Sequence, residues 1–232
     1  MRNLRCLFPI LFCILFLPQL NAQNDANTLI RGVYAKLQKA KDYTVDAHIK
    51  VDMPFIRILP VNVKIFFKQK DKFKIESKSI AIVPRQGFDQ ISKVLADSNS
   101  YTAMVQGNEN IGTIQTTIVN VISLSDTSDI ILGKFWIDPK RSLVLKSQLT
   151  TRSNGSIVME FEYGTEVAYA LPDKMIFTID VKKFKVPKGA LATSKNDEPS
   201  KNDKNKEKKG KIYITLSNYQ VNKGIPDSVF EK

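Results

Sequence analysis

Residues Lys134 to Gly164, KFWIDPKRSLVLKSQLTTRSNGSIVMEFEYG, confine the fold more than any other stretch, because apolar residues recur there at every second position around two turn signals. Ile157, Met159, Phe161 and Tyr163 fall on one face of a strand, with Val158, Glu160 and Glu162 on the other. Leu143, Leu145 and Leu149 alternate in the same way with Val144, Lys146, Gln148 and Thr150. Between these runs, Asn154-Gly155 supplies a tight hairpin turn, since both turn positions need positive φ. Upstream, Asp138-Pro139 places an Asp at turn position i and a Pro at i+1, as a type I turn prefers. The stretch is therefore an antiparallel meander of three strands, one face apolar and one largely wet.

The same period of two runs along most of the chain. Tyr43, Val45, Ala47, Ile49 and Val51 share a face opposite Thr44, Asp46, His48, Lys50 and Asp52. Val61, Val63, Ile65 and Phe67 follow on a return strand, after a turn from Pro54 to Pro60, and a further strand offers Phe73 and Ile75. Strands are expected near Tyr101 to Gln106 and Thr113 to Ser123, joined by a turn-rich Gly107 to Gly112, and again from Lys174 to Phe184 and Ile212 to Val221. Two segments break the pattern. Asn24 to Ala40 reads as a helix capped by Asp25 or Asn27, with Leu29, Val33 and Leu37 every fourth residue; Phe88 to Leu95 reads as a short amphipathic helix. The tail after Val221 carries Ile225, Val229 and Phe230, which can dock on the sheet.

The chain opens on a basic Met1–Arg5, an apolar run from Cys6 to Leu17 and a small residue at Ala22, the form of a secretory signal peptide cleaved after Ala22. Cys13 follows Leu11-Phe12 and not the small residues of a lipidation box, so no lipid anchor is expected. Both cysteines, Cys6 and Cys13, leave with the leader, which excludes disulfides, thiol chemistry and cysteine-based metal sites from residues 23–232. The formal charge is +12, of which Arg2 and Arg5 supply two, so the mature chain carries +10. Residues 195–211 hold seven lysines against four acidic residues and nothing apolar, which reads as a disordered loop inside a single domain. Its acids partly cancel its lysines, so the loop reads as a solvated insertion, or alternatively as a contact for an anionic membrane surface, and no nucleic-acid motif accompanies it.

Sequential strands with short turns make an up-and-down sheet, and a sheet of this size curls and must cover its apolar face. The expected fold is α+β: an incomplete antiparallel β-barrel of about ten to eleven strands, its concave face covered by the N-terminal helix and the short inserted helix.

On several short motifs the chain resembles the LolA/LolB-like superfamily of periplasmic lipoprotein carriers. These are Lys68-Gln69-Lys70-Asp71-Lys72-Phe73, the Trp136–Pro139 strand end and the Asn-Gly hairpin before Phe161 and Tyr163. Leu171-Pro172 and the closing Tyr219, Val221 and Asn222 with Phe230 complete the series. The resemblance implies an unclosed barrel whose apolar cavity holds the acyl chains of a lipoprotein, or another lipid, in transit towards the outer membrane. Inner-membrane donor and outer-membrane acceptor proteins would be its partners, and the chain would act as a monomer. An acyl chain of ~15 methylenes costs roughly 12 kcal/mol to expose to water, so a carrier must supply comparable apolar cover. The candidate lining residues are Val45, Ile49, Val63, Ile65, Phe67, Ile157, Met159, Phe161, Phe177 and Ile179. There is one departure: where the LolA turn reads K-R-P, with an Arg that latches the lid helix, this chain has Gln69 followed by Lys70.

Catalysis is not expected. The single histidine, His48, stands on a polar strand face, no phosphate-binding loop, dinucleotide fingerprint or nucleophile elbow is present, and Glu160 and Glu162 read as cross-strand charge partners of Lys146. No cofactor and no metal site is implied. The alternative to a carrier is a non-enzymatic periplasmic sensor or assembly module that binds a protein partner with the same shell.

Overall fold

The computed structural model describes residues 19–54, 58–70, 72–77, 99–153, 155–180 and 209–231. One helix, α1 (Gln19–Leu37), precedes ten strands among these residues. They are β1 (Asp42–Asp52), β2 (Val61–Lys68), β3 (Lys72–Ser77), β4 (Tyr101–Ile111), β5 (Ile114–Ser123), β6 (Ile130–Asp138), β7 (Leu143–Thr151), β8 (Gly155–Glu162), β9 (Lys174–Asp180) and β10 (Lys209–Val221). All ten join one antiparallel sheet in the order β3-β2-β1-β10-β9-β8-β7-β6-β5-β4, open between β3 and β4. The incomplete barrel read from the alternation is therefore the architecture observed.

Register carries one apolar face through the whole sheet. Val45 pairs with Ile65, Ile49 with Ile214, Ile212 with Phe177, Phe177 with Met159, Ser147 with Phe135, Phe135 with Val119, and Val121 with Ala103. Because the side-chain period is two, each pairing hands the same face to the next strand. Helix α1 lays Ala26, Ile30 and Val33 into the same core, at the helical spacing of four and three residues. Gly32 permits its close seat: a Cβ there would lie 3.0 Å from Ser142 Oγ in the β6–β7 turn.

Several expectations need correction. Helix α1 begins at Gln19 and ends at Leu37, so Asp25 and Asn27 lie inside it and do not cap it; the helical run simply continues upstream, where nothing breaks it. The stretch from Gly107 to Gly112 is not a loop. β4 runs through it to Ile111, because a bulge that leaves Gln106 unpaired restores the register and only Gly112-Thr113 turns. Thr151 pairs with Gly155, so the β7–β8 connection is three residues long, 152–154, and Gly155 (φ 74°) starts the strand.

Val144, expected on the wet face, is buried in the main core. The β6–β7 ladder skips Leu145 between Trp136 and Ile137, which turns Val144 inward beside Ile137 and leaves Leu143 and Leu145 in a small satellite core with Ala170. β9 ends at Asp180 and β10 begins at Lys209, so Lys209–Lys211, counted in the disordered loop, are paired strand. The short helix at 88–95, the leader's first 18 residues and positions 195–208 lie outside the described residues. Among the described residues no helix is long and apolar enough to cross a membrane.

The tail docks as read, but on the outer face of β2–β3. Lys68 and Lys72 each approach Asp227 at 2.7 Å, Lys74 donates to the Val229 carbonyl, and Ile225 is buried. The two lysine hydrogen bonds hold the Asp227 carboxyl down at about 2.

Candidate functional site

The ten candidate residues all lie on the concave face, in two groups. Val45, Ile49, Val63, Ile65 and Phe67 come from β1 and β2; Ile157, Met159, Phe161, Phe177 and Ile179 come from β8 and β9. β10 separates the groups, and its Ile212 and Ile214 bridge them as fully buried side chains. Phe67 and Phe161 keep partial exposure, whereas Met159 and Phe177 are 0% exposed. The sequence reading missed the contributions of Val119, Val121, Phe135 and Ile137 from β5 and β6, although the same alternation marks them.

Ser147 is a polar exception on this face. It lies between Phe135 and Met159, has no exposure, and its Oγ has no hydrogen-bond partner among the described residues.

The two ends of the sheet differ. At one end, side-chain amides hold the end of α1. Gln69 Nε2 donates to the carbonyls of Gln38 (2.9 Å) and Ala40 (3.3 Å) in the turn that leaves α1. Asn222 Nδ2 donates to the Lys39 carbonyl at 2.9 Å, and its Oδ1 accepts from the Lys41 amide at 2.7 Å. Asn222 can reach because it adopts the left-handed conformation (φ 57°), which asparagine tolerates. Gln69 thus occupies the latch position with neutral bonds in place of a guanidinium. Nearby, Lys36 Nζ donates to the Arg141 carbonyl at 2.8 Å, and burial, with Lys39 and Arg141 close by, lowers its pKa.

The β6–β7 turn beneath α1 is organised by Asp138, which accepts from Arg141 Nε at 2.6 Å and from the amides of Lys140 (2.9 Å) and Arg141 (3.2 Å). Burial alone would raise its pKa, but these donors outweigh it and hold the carboxyl below its ordinary value. Trp136 points outward. Lys134 and Lys146 lie 4.9 and 4.7 Å from its ring centroid, and its Nε1 donates to Glu109. Tyr219 donates to the Pro172 carbonyl at 2.8 Å. Four of the motifs that carry the resemblance thus meet at this one end of the sheet.

Asn222→Ala is expected to cost about 1–2 kcal/mol, two exposed hydrogen bonds plus the loss of a residue suited to positive φ. The sharper readout is hydrogen exchange: the Lys41 amide should exchange at least several-fold faster while core amides are unaffected. Unchanged protection at Lys41 would show that Asn222 does not hold the helix end.

The opposite end carries the strongly exposed apolar residues Leu59 (65%) and Leu124 (61%), in the β1–β2 and β5–β6 connections. β9 stops and β10 starts at this end, at Asp180 and Lys209. Among the described residues no group of three His, Cys, Asp or Glu could hold a metal ion.

No family model matches the sequence, and no curated protein matches it either. Solved structures do match over nearly the whole chain. A LolA superfamily protein from Nitrosomonas europaea superposes with a TM-score of 0.57 at 10% identity, covering 89% of this chain and 97% of that one. A DUF1329 family protein from Desulfovibrio piger gives 0.56 at 11% identity, with 90% and 97% covered. A domain named for outer membrane lipoprotein sorting, from Vibrio parahaemolyticus, gives 0.54 at 11% identity over the same shares. With the open ten-stranded sheet and the helix held across its concave face, these likenesses establish that the chain has a LolA-like fold.

Proposed function

We propose that this chain is a periplasmic carrier that takes up acyl chains of lipoproteins, or another lipid, against its concave face for transfer towards the outer membrane. The observation that carries the reading is the apolar face, interrupted in β7 by Ser147, that is handed from strand to strand through all ten strands. Among the described residues α1 is the one helix that lies on it, and its end is fastened by Lys36 against the Arg141 carbonyl and by neutral amide bonds. Each such bond is worth about 0.5–1.5 kcal/mol net, so the fastening can yield to a ligand whose burial is worth more. The likeness in fold to a lipoprotein-sorting domain supports the same reading. The exposed Leu59 and Leu124 stand at the end of the sheet where β9 stops and β10 starts, an end suited to a membrane surface.

A second reading, a sensor or assembly module that binds a protein partner, is favoured by the zero exposure of Met159 and Phe177, which leaves no water-sized gap against either side chain. The two readings separate in one experiment. Protein isolated from cells, examined by native mass spectrometry, should carry acyl material, and the stripped protein should take up a fluorescent acyl probe. Repeated acyl-free masses together with no probe uptake would leave the protein-binding reading in its place.

A further inference from the structure

Ser147 is a feature of the interior that packing does not explain. It sits in the middle of β7, roughly 13 Å from the strand end at Thr151, on the concave face between Phe135 and Met159. A small side chain is needed here. The Phe135 ring lies back along its own strand over Gly133, where an added Cβ would meet ring Cε2 at 2.6 Å, so Gly133 and Ser147 leave the room that the large neighbours fill. Alanine would serve that need. Ser147 instead carries a hydroxyl that is fully buried and has no hydrogen-bond partner among the described residues, and such a group bears its desolvation cost with no return from them.

We infer that Ser147 Oγ donates a hydrogen bond to the ester carbonyl of a lipid seated against β7, so that the ligand is an acyl ester and not a bare hydrocarbon chain or a free fatty acid. The inference rests on the carrier reading. A carbonyl is the polar atom that accompanies a fatty chain into an apolar space. The concave positions of β6 to β9 bear apolar residues, Gly133, Gly155, Ser147 and, at the strand end, Thr151, with no cation among them, so a carboxylate drawn to this depth would be a buried unpaired charge or would have to take up a proton at a cost. A neutral ester meets the hydroxyl without that cost.

The test compares dipalmitoyl phosphatidylglycerol, its dihexadecyl ether analogue and palmitate, each titrated against the mature chain and its Ser147→Ala and Ser147→Cys variants in competition with a fluorescent acyl probe. The wild type should prefer the diester over the diether by about five- to tenfold, the worth of one hydrogen bond, and should bind palmitate more weakly than the diester. Ser147→Ala should lose this preference through weaker diester binding alone, with a ligand-free Tm equal to or above that of the wild type. Ser147→Cys, similar in size and a weak donor, should fall between. Equal affinities in the wild type, or a preference that survives in Ser147→Ala, would overturn the inference and leave the carrier standing. Binding of palmitate as tight as the diester, or a lowered Tm in Ser147→Ala, would overturn it too. If neither glycerolipid displaces the probe from the wild type, this inference falls, and if the probe itself is not taken up and the isolated protein is acyl-free, the carrier reading falls with it.

Discussion

Phe177→Ala is expected to lower the unfolding free energy by about 3–5 kcal/mol, which for a domain of this size lowers Tm by roughly 10 °C. Phe177 is fully buried on β9, with Met159 opposite it on β8 and Ile212 on β10. Removing the ring takes away its transfer free energy and leaves a void that the stiff sheet cannot collapse to fill. Urea titration of the variant against the wild type measures the cost. The size of the effect also bears on function. A side chain that lines a water-filled hollow would lose little on truncation, so a cost below about 1 kcal/mol would show that Phe177 is not packed as the structure has it. At the expected cost, Phe177 is packed in the free protein, and the proposed carrier would admit a lipid only by displacing what now covers the face.

Asp138→Ala is expected to cost about 2–4 kcal/mol, because one carboxylate that is only 4% exposed satisfies three donors. The loss should spread beyond the turn, since α1 rests there through Gly32 against Ser142 and Lys36 against the Arg141 carbonyl. The pH dependence follows from the direction of the shift. The folded Asp138 pKa lies below the ordinary 3.8, so its contribution is fully present above pH 3.8 and is lost as pH falls through the lower folded value. Wild type should therefore lose stability on acidification below that point, and Asp138→Asn should lose less over the same interval. Chemical denaturation at pH 7 and at pH 3 measures both. A variant within 0.5 kcal/mol of wild type at pH 7 would remove Asp138 from its structural role.

Most of the sheet was legible in the sequence because the period of two is a local property. Val45, Ile49 and Val63 declare their face without reference to any partner, as do Ile157 and Met159. What escaped depends on the ladder and not on the strand. Skipping a single residue turned Val144 inward, and the unpaired Gln106 let β4 continue through Gly107, whose glycine and asparagine neighbours otherwise read as a turn. The helix clasp was half legible. Gln69 was marked as standing where a latching arginine would be, yet its reach to Gln38 and Ala40 and the matching grip of Asn222 join segments far apart in the chain. Ser147 had a signal that went unused: its odd number places it inward with Leu149, and a polar residue at an inward position is the exception to weigh.

The position of β10 has a consequence for how the molecule is made. It lies between β1 and β9, so Tyr43 near the start of the domain waits for Val221 near its end before the two can pair. Until the last strand arrives, the first three strands and the six from β4 to β9 share no ladder, and each block shows an unpaired border to the water. Closing that seam late makes assembly slow, and the sheet can knit into one piece only once β10 has joined it.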